Sequence, residues 1–253
     1  PIVSINNGKV NEVIGASYEL DSIENVFLED ITDTGFANIL ASLSNSFKNQ
    51  TVEITSSTLD NAKLVITVSS ANNPKQFYLF DTKQRRLSVI IKSKPWLDKK
   101  DIPKTSLISY KTRDGINVRG LLTLPIDANK NLPLVMHPHG GPHGIRDSLS
   151  TLSSDAKVLA SHGYAVFQPN YRGSGGYGKD FMQRGYQNWG TSMIDDMTDG
   201  VNFLIEQGVV DKNRVCSYGA SYGGYAAIQS AIREPDLYKC AVGFVGVYDL
   251  QLM

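Results

Sequence analysis

Apolar residues come in short alternating runs along the first hundred positions, and in blocks of two different periods after them. Thr51–Ser56, Lys63–Ser69, Gln76–Phe80 and Leu87–Ile91 are β-prone runs, broken by turn segments such as Leu59-Asp60-Asn61 and Asp81-Thr82-Lys83-Gln84. Four such runs in about 40 residues, without helical periodicity between them, predict antiparallel β structure. Asp33–Phe47 fits a short helix and a loop equally well. Pro95-Trp96-Leu97-Asp98-Lys99-Lys100-Asp101-Ile102-Pro103 is charged and bounded by prolines, the mark of a linker. The expected division is therefore a β-rich region with its linker over residues 1–103 and a second domain over 104–253.

The second domain reads differently. Leu107–Lys111 and Ile116–Leu124 flank Asp114-Gly115, a good hairpin turn. The pattern then alternates: strand Leu134–His137, a helix near Asp155–Ser161, strand Ala165–Gln168, a helix near Ile194–Gln207, strand Val215–Tyr218, a helix over Tyr225–Ile232, and strand Ala241–Val247. Strands alternating with helices predict an α/β fold, a mainly parallel sheet with helices on both faces. Ser192-Met193-Ile194-Asp195 reads as a capping box for the long helix.

Composition narrows the function classes. The 253 residues carry 25 basic and 25 acidic side chains, so the formal charge is zero and no nucleic-acid surface or basic membrane patch is expected. No apolar run approaches the ~20 residues of a membrane span. The chain starts Pro1-Ile2-Val3, without a signal-like segment. Cys216 and Cys240 lie in separate apolar runs and are expected to be buried free thiols.

The candidate chemistry lies at Gly219-Ala220-Ser221-Tyr222-Gly223, a G-x-S-x-G pattern between a β-prone run and a helix-compatible one. Strand, sharp turn and helix are the context of a nucleophile elbow, with Ser221 as nucleophile and the backbone N–H of Tyr222 as oxyanion donor. The flanking glycines sit where side chains would collide. Upstream, the apolar Leu132–His137 run breaks at Pro138-His139-Gly140-Gly141-Pro142-His143-Gly144, a strand followed by a glycine loop that suits a second oxyanion donor, assigned to the N–H of Gly141. His137, His139 and His143 lack an acidic or cysteine partner at ligand spacing, so neither a metal nor another cofactor is expected. Arg172 is expected in an ion pair with Asp195 or Asp196 rather than on a substrate. Tyr171 and Tyr177 suit a cleft and loop packing equally, and Trp189 is expected in the core. The Gly173–Gly178 run lacks the Lys-Ser/Thr ending of a phosphate loop.

Three ordered motifs resemble the prolyl oligopeptidase family of serine peptidases, in its acylaminoacyl-peptidase and dipeptidyl-aminopeptidase-like branch. They are His139-Gly140-Gly141-Pro142-His143, Asn170-Tyr171-Arg172-Gly173-Ser174-Gly175-Gly176-Tyr177-Gly178, and Gly219-Ala220-Ser221-Tyr222-Gly223-Gly224-Tyr225; Asp195-Asp196-Met197-Thr198-Asp199-Gly200 fits the same pattern. The resemblance implies a β-propeller joined to an α/β-hydrolase domain and short peptides as substrates. It maps the nucleophile onto Ser221 and the oxyanion donors onto Tyr222 and Gly141. The family's catalytic aspartate and histidine follow the elbow, yet His137, His139, His143 and His162 all precede Ser221. Asp249 matches a residue before the triad acid and is not taken as catalytic. About six strands are counted where the full hydrolase fold has eight. The chain is thus expected to be a piece of a longer enzyme, nearly inactive by itself. An esterase with the same elbow and a non-catalytic binding module are the competing readings; the β-rich N-terminal region argues against the first, and the retained elbow against the second.

Overall fold

The computed structural model describes residues 2–6, 11–19, 23–28 and 34–251. It divides into two compact units, Pro1–Asp101 with Leu149–Leu152, and Ile102–Ser148 with Ser153–Met253.

In the first unit, β1 (Ile2–Asn6), β2 (Asn11–Glu19) and β3 (Ile23–Phe27) form an antiparallel three-stranded sheet. The segment that fitted helix or loop is a helix, α1 (Thr34–Ser46). Ala37, Leu40 and Leu43 recur one turn apart on its buried side. The four β-prone runs become β4 (Thr51–Ser57), β5 (Lys63–Ser70), β6 (Asn73–Asp81) and β7 (Arg86–Lys92), an antiparallel meander in chain order. Leu64, Ile66 and Val68 alternate inward along β5 and meet Leu40, Leu43, Val52 and Phe80 in one core.

The second unit is a six-stranded sheet in the order β13-β12-β10-β11-β9-β8. β8 (Lys104–Lys111) and β9 (Asn117–Leu124) form the expected hairpin, and β9 runs antiparallel to β11 (Ala165–Asn170). β10 (Leu132–Met136), β11, β12 (Val210–Ala220) and β13 (Tyr238–Phe244) are parallel. Helices cover both faces, as the two-residue period of β11 shows. Val166 packs with Ala156 and Ala160 of α2 (Ser154–Ser161). Its neighbour Phe167 joins the main core with Met193, Ile194, Met197 and Val201 of α4 (Ser192–Glu206) and Ala226 of α5 (Tyr222–Arg233). A short α3 (Lys179–Gln183) lies in the connection from β11 to α4.

Two expectations need correction here. Ser192 does not cap α4. Thr191 is the N-cap, without a side-chain bond to the helix, and the Asp195 carboxylate is drawn instead to Arg113 at 3.2 Å and Arg233 at 2.7 Å. Cys216 and Cys240 are not free thiols. They stand opposite each other in the β12–β13 register, with Cα atoms 4.7 Å apart, and form a disulfide.

Candidate active site

β12 ends at Ala220 and α5 begins at Tyr222, so Ser221 occupies the junction by itself, with φ 57° and ψ −127°. Few L-residues adopt such a backbone, and it persists only where neighbours enforce it. Here the Ser221 N–H donates to the Phe244 carbonyl on β13 at 3.0 Å, while the Ser221 carbonyl accepts from Gly224 at 2.9 Å and Tyr225 at 3.2 Å. The bend brings β12 and α5 together so closely that a Cβ on Gly219 would strike the Gly223 carbonyl oxygen, and one on Gly223 would strike the Pro138 carbonyl oxygen. Ser221 itself is exposed. The N–H of Tyr222, first in α5, has no acceptor within its own helix and lies at the positive end of the helix dipole.

The glycine loop follows β10 and lies against this junction. A Cβ on Gly140 would stand 3.3 Å from the Ala220 oxygen and 3.4 Å from Ser221 Cβ. Gly141, next in line, has φ 118° and precedes a cis Pro142, and a Cβ there would stand 3.1 Å from the Ile145 side chain. The loop thus lies close against the elbow at Gly140, while Gly141 suits glycine through its left-handed backbone.

A chain of aromatic rings fastens the loop to α5. His139 stacks on the fully buried Tyr171 at 4.4 Å; Tyr171 meets Tyr222 at 5.6 Å, and Tyr222 meets Trp189 at 5.2 Å. The Tyr171 hydroxyl donates to the His139 carbonyl at 2.8 Å, and Tyr222 to the Trp189 carbonyl at 2.8 Å. Tyr171 is therefore packing, and Trp189 is tied to the site by more than core contact: its indole N–H donates to His143 Nε2 at 3.0 Å.

All four histidines are committed elsewhere than Ser221. His137 Nδ1 is 2.7 Å from the Tyr218 carbonyl, His139 Nε2 is 2.9 Å from Ser174 Oγ, His143 meets Trp189, and His162 sits exposed at the end of α2. Burial drives the His139 pKa down to about 4, opposed by the Gly140 carbonyl. Among the described residues no group of three metal-ligating side chains comes together.

Arg172 forms the ion pair expected with Asp196 and not the one with Asp195. Its Nε lies 2.9 Å from Asp196 Oδ2, its Nη2 2.5 Å from Oδ1, and its backbone N–H also donates to Asp196 at 2.8 Å. Sequence reasoning missed its second partner, Asp114, at 2.8 and 3.0 Å. Burial opposes the charge on Arg172, but the two carboxylates outweigh it and raise its pKa. Arg172 and Thr112 hold Asp114 down at about 2. Asp114 had been visible only as a turn residue.

A strained, exposed serine between a parallel strand and a helix, faced by a glycine loop, is the arrangement of the serine hydrolase class. Residues 150–253 match the model of the prolyl oligopeptidase family. The chain is 34% identical over 210 residues to dipeptidyl aminopeptidase BIII of Pseudoxanthomonas mexicana, covering 80% of this chain and 30% of that one. It is 31% identical over 121 residues to acylamino-acid-releasing enzyme 2 of Oryza sativa subsp. japonica, 48% of this chain and 15% of that one. The crystal structure of puromycin hydrolase superposes with a TM-score of 0.67 at 25% identity, over 81% of this chain and 31% of that one. Through the matched segment the chain belongs to the prolyl oligopeptidase family of serine peptidases. It spans less than a third of the length of these relatives. Among the described residues no helix is long and apolar enough to cross a membrane.

Proposed function

We propose that this chain supplies the nucleophile and the oxyanion pocket of a serine peptidase acting on short peptides. The observation that carries the reading is Ser221, held at φ 57° with its side chain exposed and Gly140 packed against it. Ser221 Oγ attacks the scissile carbonyl, and its proton passes to a base. The oxyanion of the tetrahedral intermediate is received by the N–H groups of Tyr222 and Gly141. Collapse protonates and releases the amine, leaving an acyl group on Ser221 that water removes. Since His137, His139, His143 and His162 are all engaged away from Ser221, the base and its orienting acid come from other residues, in the order serine, acid, histidine that this class follows.

The finer architecture belongs to the same proposal. Residues 104–253 are read as the N-terminal part of an α/β-hydrolase domain, in keeping with the strand order β13-β12-β10-β11-β9-β8. Residues 1–103 are read as part of a β-propeller with its linker, in keeping with the β4–β7 meander. These 253 residues alone are then nearly inactive, because loss of the base in a comparable triad costs on the order of 10⁶ in kcat.

The test is a fluorophosphonate probe applied to the full natural protein, followed by peptide mapping. An adduct on Ser221, abolished in Ser221→Ala, is the expected result; an unlabelled Ser221 in protein that turns over peptides overturns it. Turnover of an aminoacyl ester but not of the matching amide would replace the peptidase reading by an esterase one.

A further inference from the structure

Trp189 makes two hydrogen bonds that reach in different directions. Its indole N–H donates to His143 Nε2 at 3.0 Å, and its carbonyl accepts from the Tyr222 hydroxyl at 2.8 Å. His143 stands two residues after Gly141, and Tyr222 directly follows Ser221. The segments that carry the two proposed oxyanion donors are therefore joined through one residue. We infer that Trp189 is a positioning residue, a clamp that sets the spacing of the Gly141 and Tyr222 N–H groups to fit the tetrahedral oxyanion. The inference rests on the peptidase reading above.

One end of the clamp is fixed by α5. Besides the Tyr222 bond to Trp189, the Gly190 carbonyl accepts from Arg233 Nη1 at 2.8 Å, so residues 189 and 190 are fastened to both ends of that helix. The other end is fixed in the glycine loop. The His143 ring meets Tyr186 edge-on at 4.8 Å, and the next residue, Gly144, donates its N–H to the Gly173 carbonyl at 3.1 Å. Only Pro142 separates His143 from Gly141, and its ring restricts φ, so little slack lies between the bonded imidazole and the donor.

The bond also dictates the state of the imidazole. An indole N–H can only donate, so Nε2 carries a lone pair and the proton of His143 is on Nδ1. Nδ1 is buried and finds no hydrogen-bond partner among the described residues. A buried donor without an acceptor is destabilising, and in a native fold it calls for a reason. The clamp gives one: the neutral tautomer that accepts from Trp189 is the one that leaves Nδ1–H unpaired. Burial pushes the His143 pKa below its ordinary value, which favours the neutral ring that the bond requires.

The experiment is steady-state peptide hydrolysis by the full natural protein. kcat is counted per Ser221 titrated to completion with fluorophosphonate, so that loss of folded protein does not enter. Trp189→Phe keeps an aromatic ring and removes the indole N–H. Its kcat is expected to fall about tenfold with KM unchanged, because the oxyanion forms only after binding; outright removal of a donor costs about 10²–10³. His143→Leu should lose as much, and the double variant no more, since both changes delete the same bond. His143→Gln offers an acceptor oxygen in place of Nε2 and should recover part of the rate. The His143 pair carries the test even where Trp189→Phe does not fold. An unchanged kcat, a loss confined to KM, multiplying losses in the double variant, or equal losses in His143→Leu and His143→Gln would each overturn the clamp and leave Ser221-dependent turnover, hence the peptidase reading, in place. Wild-type protein without Ser221-dependent turnover would overturn that reading and the clamp with it.

Discussion

The Tyr222 hydroxyl donates to the Trp189 carbonyl at 2.8 Å, so the first side chain of α5 is fastened to the segment that leads into α4. The ring is buried, and the backbone N–H of the same residue is the proposed oxyanion donor. Anchoring the side chain therefore fixes the aim of the N–H. Tyr222→Phe keeps the packing and leaves the Trp189 carbonyl without this donor. We expect a loss of about 1–2 kcal/mol in denaturant unfolding and slower labelling of Ser221 by fluorophosphonate. An unchanged labelling rate in the destabilised variant would separate stability from positioning and count against the second role.

Gly223→Ala tests the closeness of loop, strand and helix. Its methyl would meet the Pro138 backbone carbonyl, which cannot swing away as a side chain could. The expected cost is about 3 kcal/mol, the upper end of what overpacking usually costs, with Ser221 labelling abolished even where folded protein is recovered. A variant with native melting temperature and normal labelling would show that the loop yields freely.

His139 makes stability depend on pH. Its pKa is about 4 in the folded chain and 6.5 in the unfolded one, so between those values the unfolded state binds more protons. The corresponding stability is fully present above pH 6.5 and is lost as pH falls toward 4, by about 3 kcal/mol. Asp114 adds a separate loss below pH 3.8, down to about 2. Urea midpoints measured from pH 7 to pH 4 should fall in wild type and fall less in His139→Gln. Parallel curves for the two proteins would contradict the assignment to His139.

Breaking the disulfide should also be felt at the elbow. Cys216 and Cys240 are 24 residues apart in sequence, and removing a crosslink over such a loop costs about 3 kcal/mol in the chain-entropy view. Because β13 carries the Phe244 carbonyl that accepts from Ser221, the Cys216→Ala/Cys240→Ala protein should be both less stable and slower to label. Identical unfolding curves with and without reductant would contradict the crosslink's contribution.

Local features were the legible ones. The glycines flanking Ser221, the break after Leu132–His137 and the strand–helix alternation all act within a few residues, so the sequence displays them directly. Arg172 was expected to seek an acid on α4, and it did; Asp114, 58 positions earlier, could not be named because nothing local says that the β8–β9 turn reaches Arg172. The disulfide was hidden for the same reason. Two apolar runs do not reveal that their cysteines fall opposite each other once β12 and β13 pair. Ser192 misled because a capping-box pattern competes with ion pairs, and Arg113 and Arg233 claim Asp195.

The bond from Ser221 N–H to the Phe244 carbonyl has a consequence for biosynthesis. A growing chain makes the serine before it makes the strand that holds the serine's backbone. The elbow therefore cannot take its shape while β13 is still inside the ribosome, however well Gly219–Gly223 is built for it. A nascent chain stalled before Phe244 should offer a serine that is chemically ordinary. The backbone hold on the serine is complete only when the later strand emerges and docks.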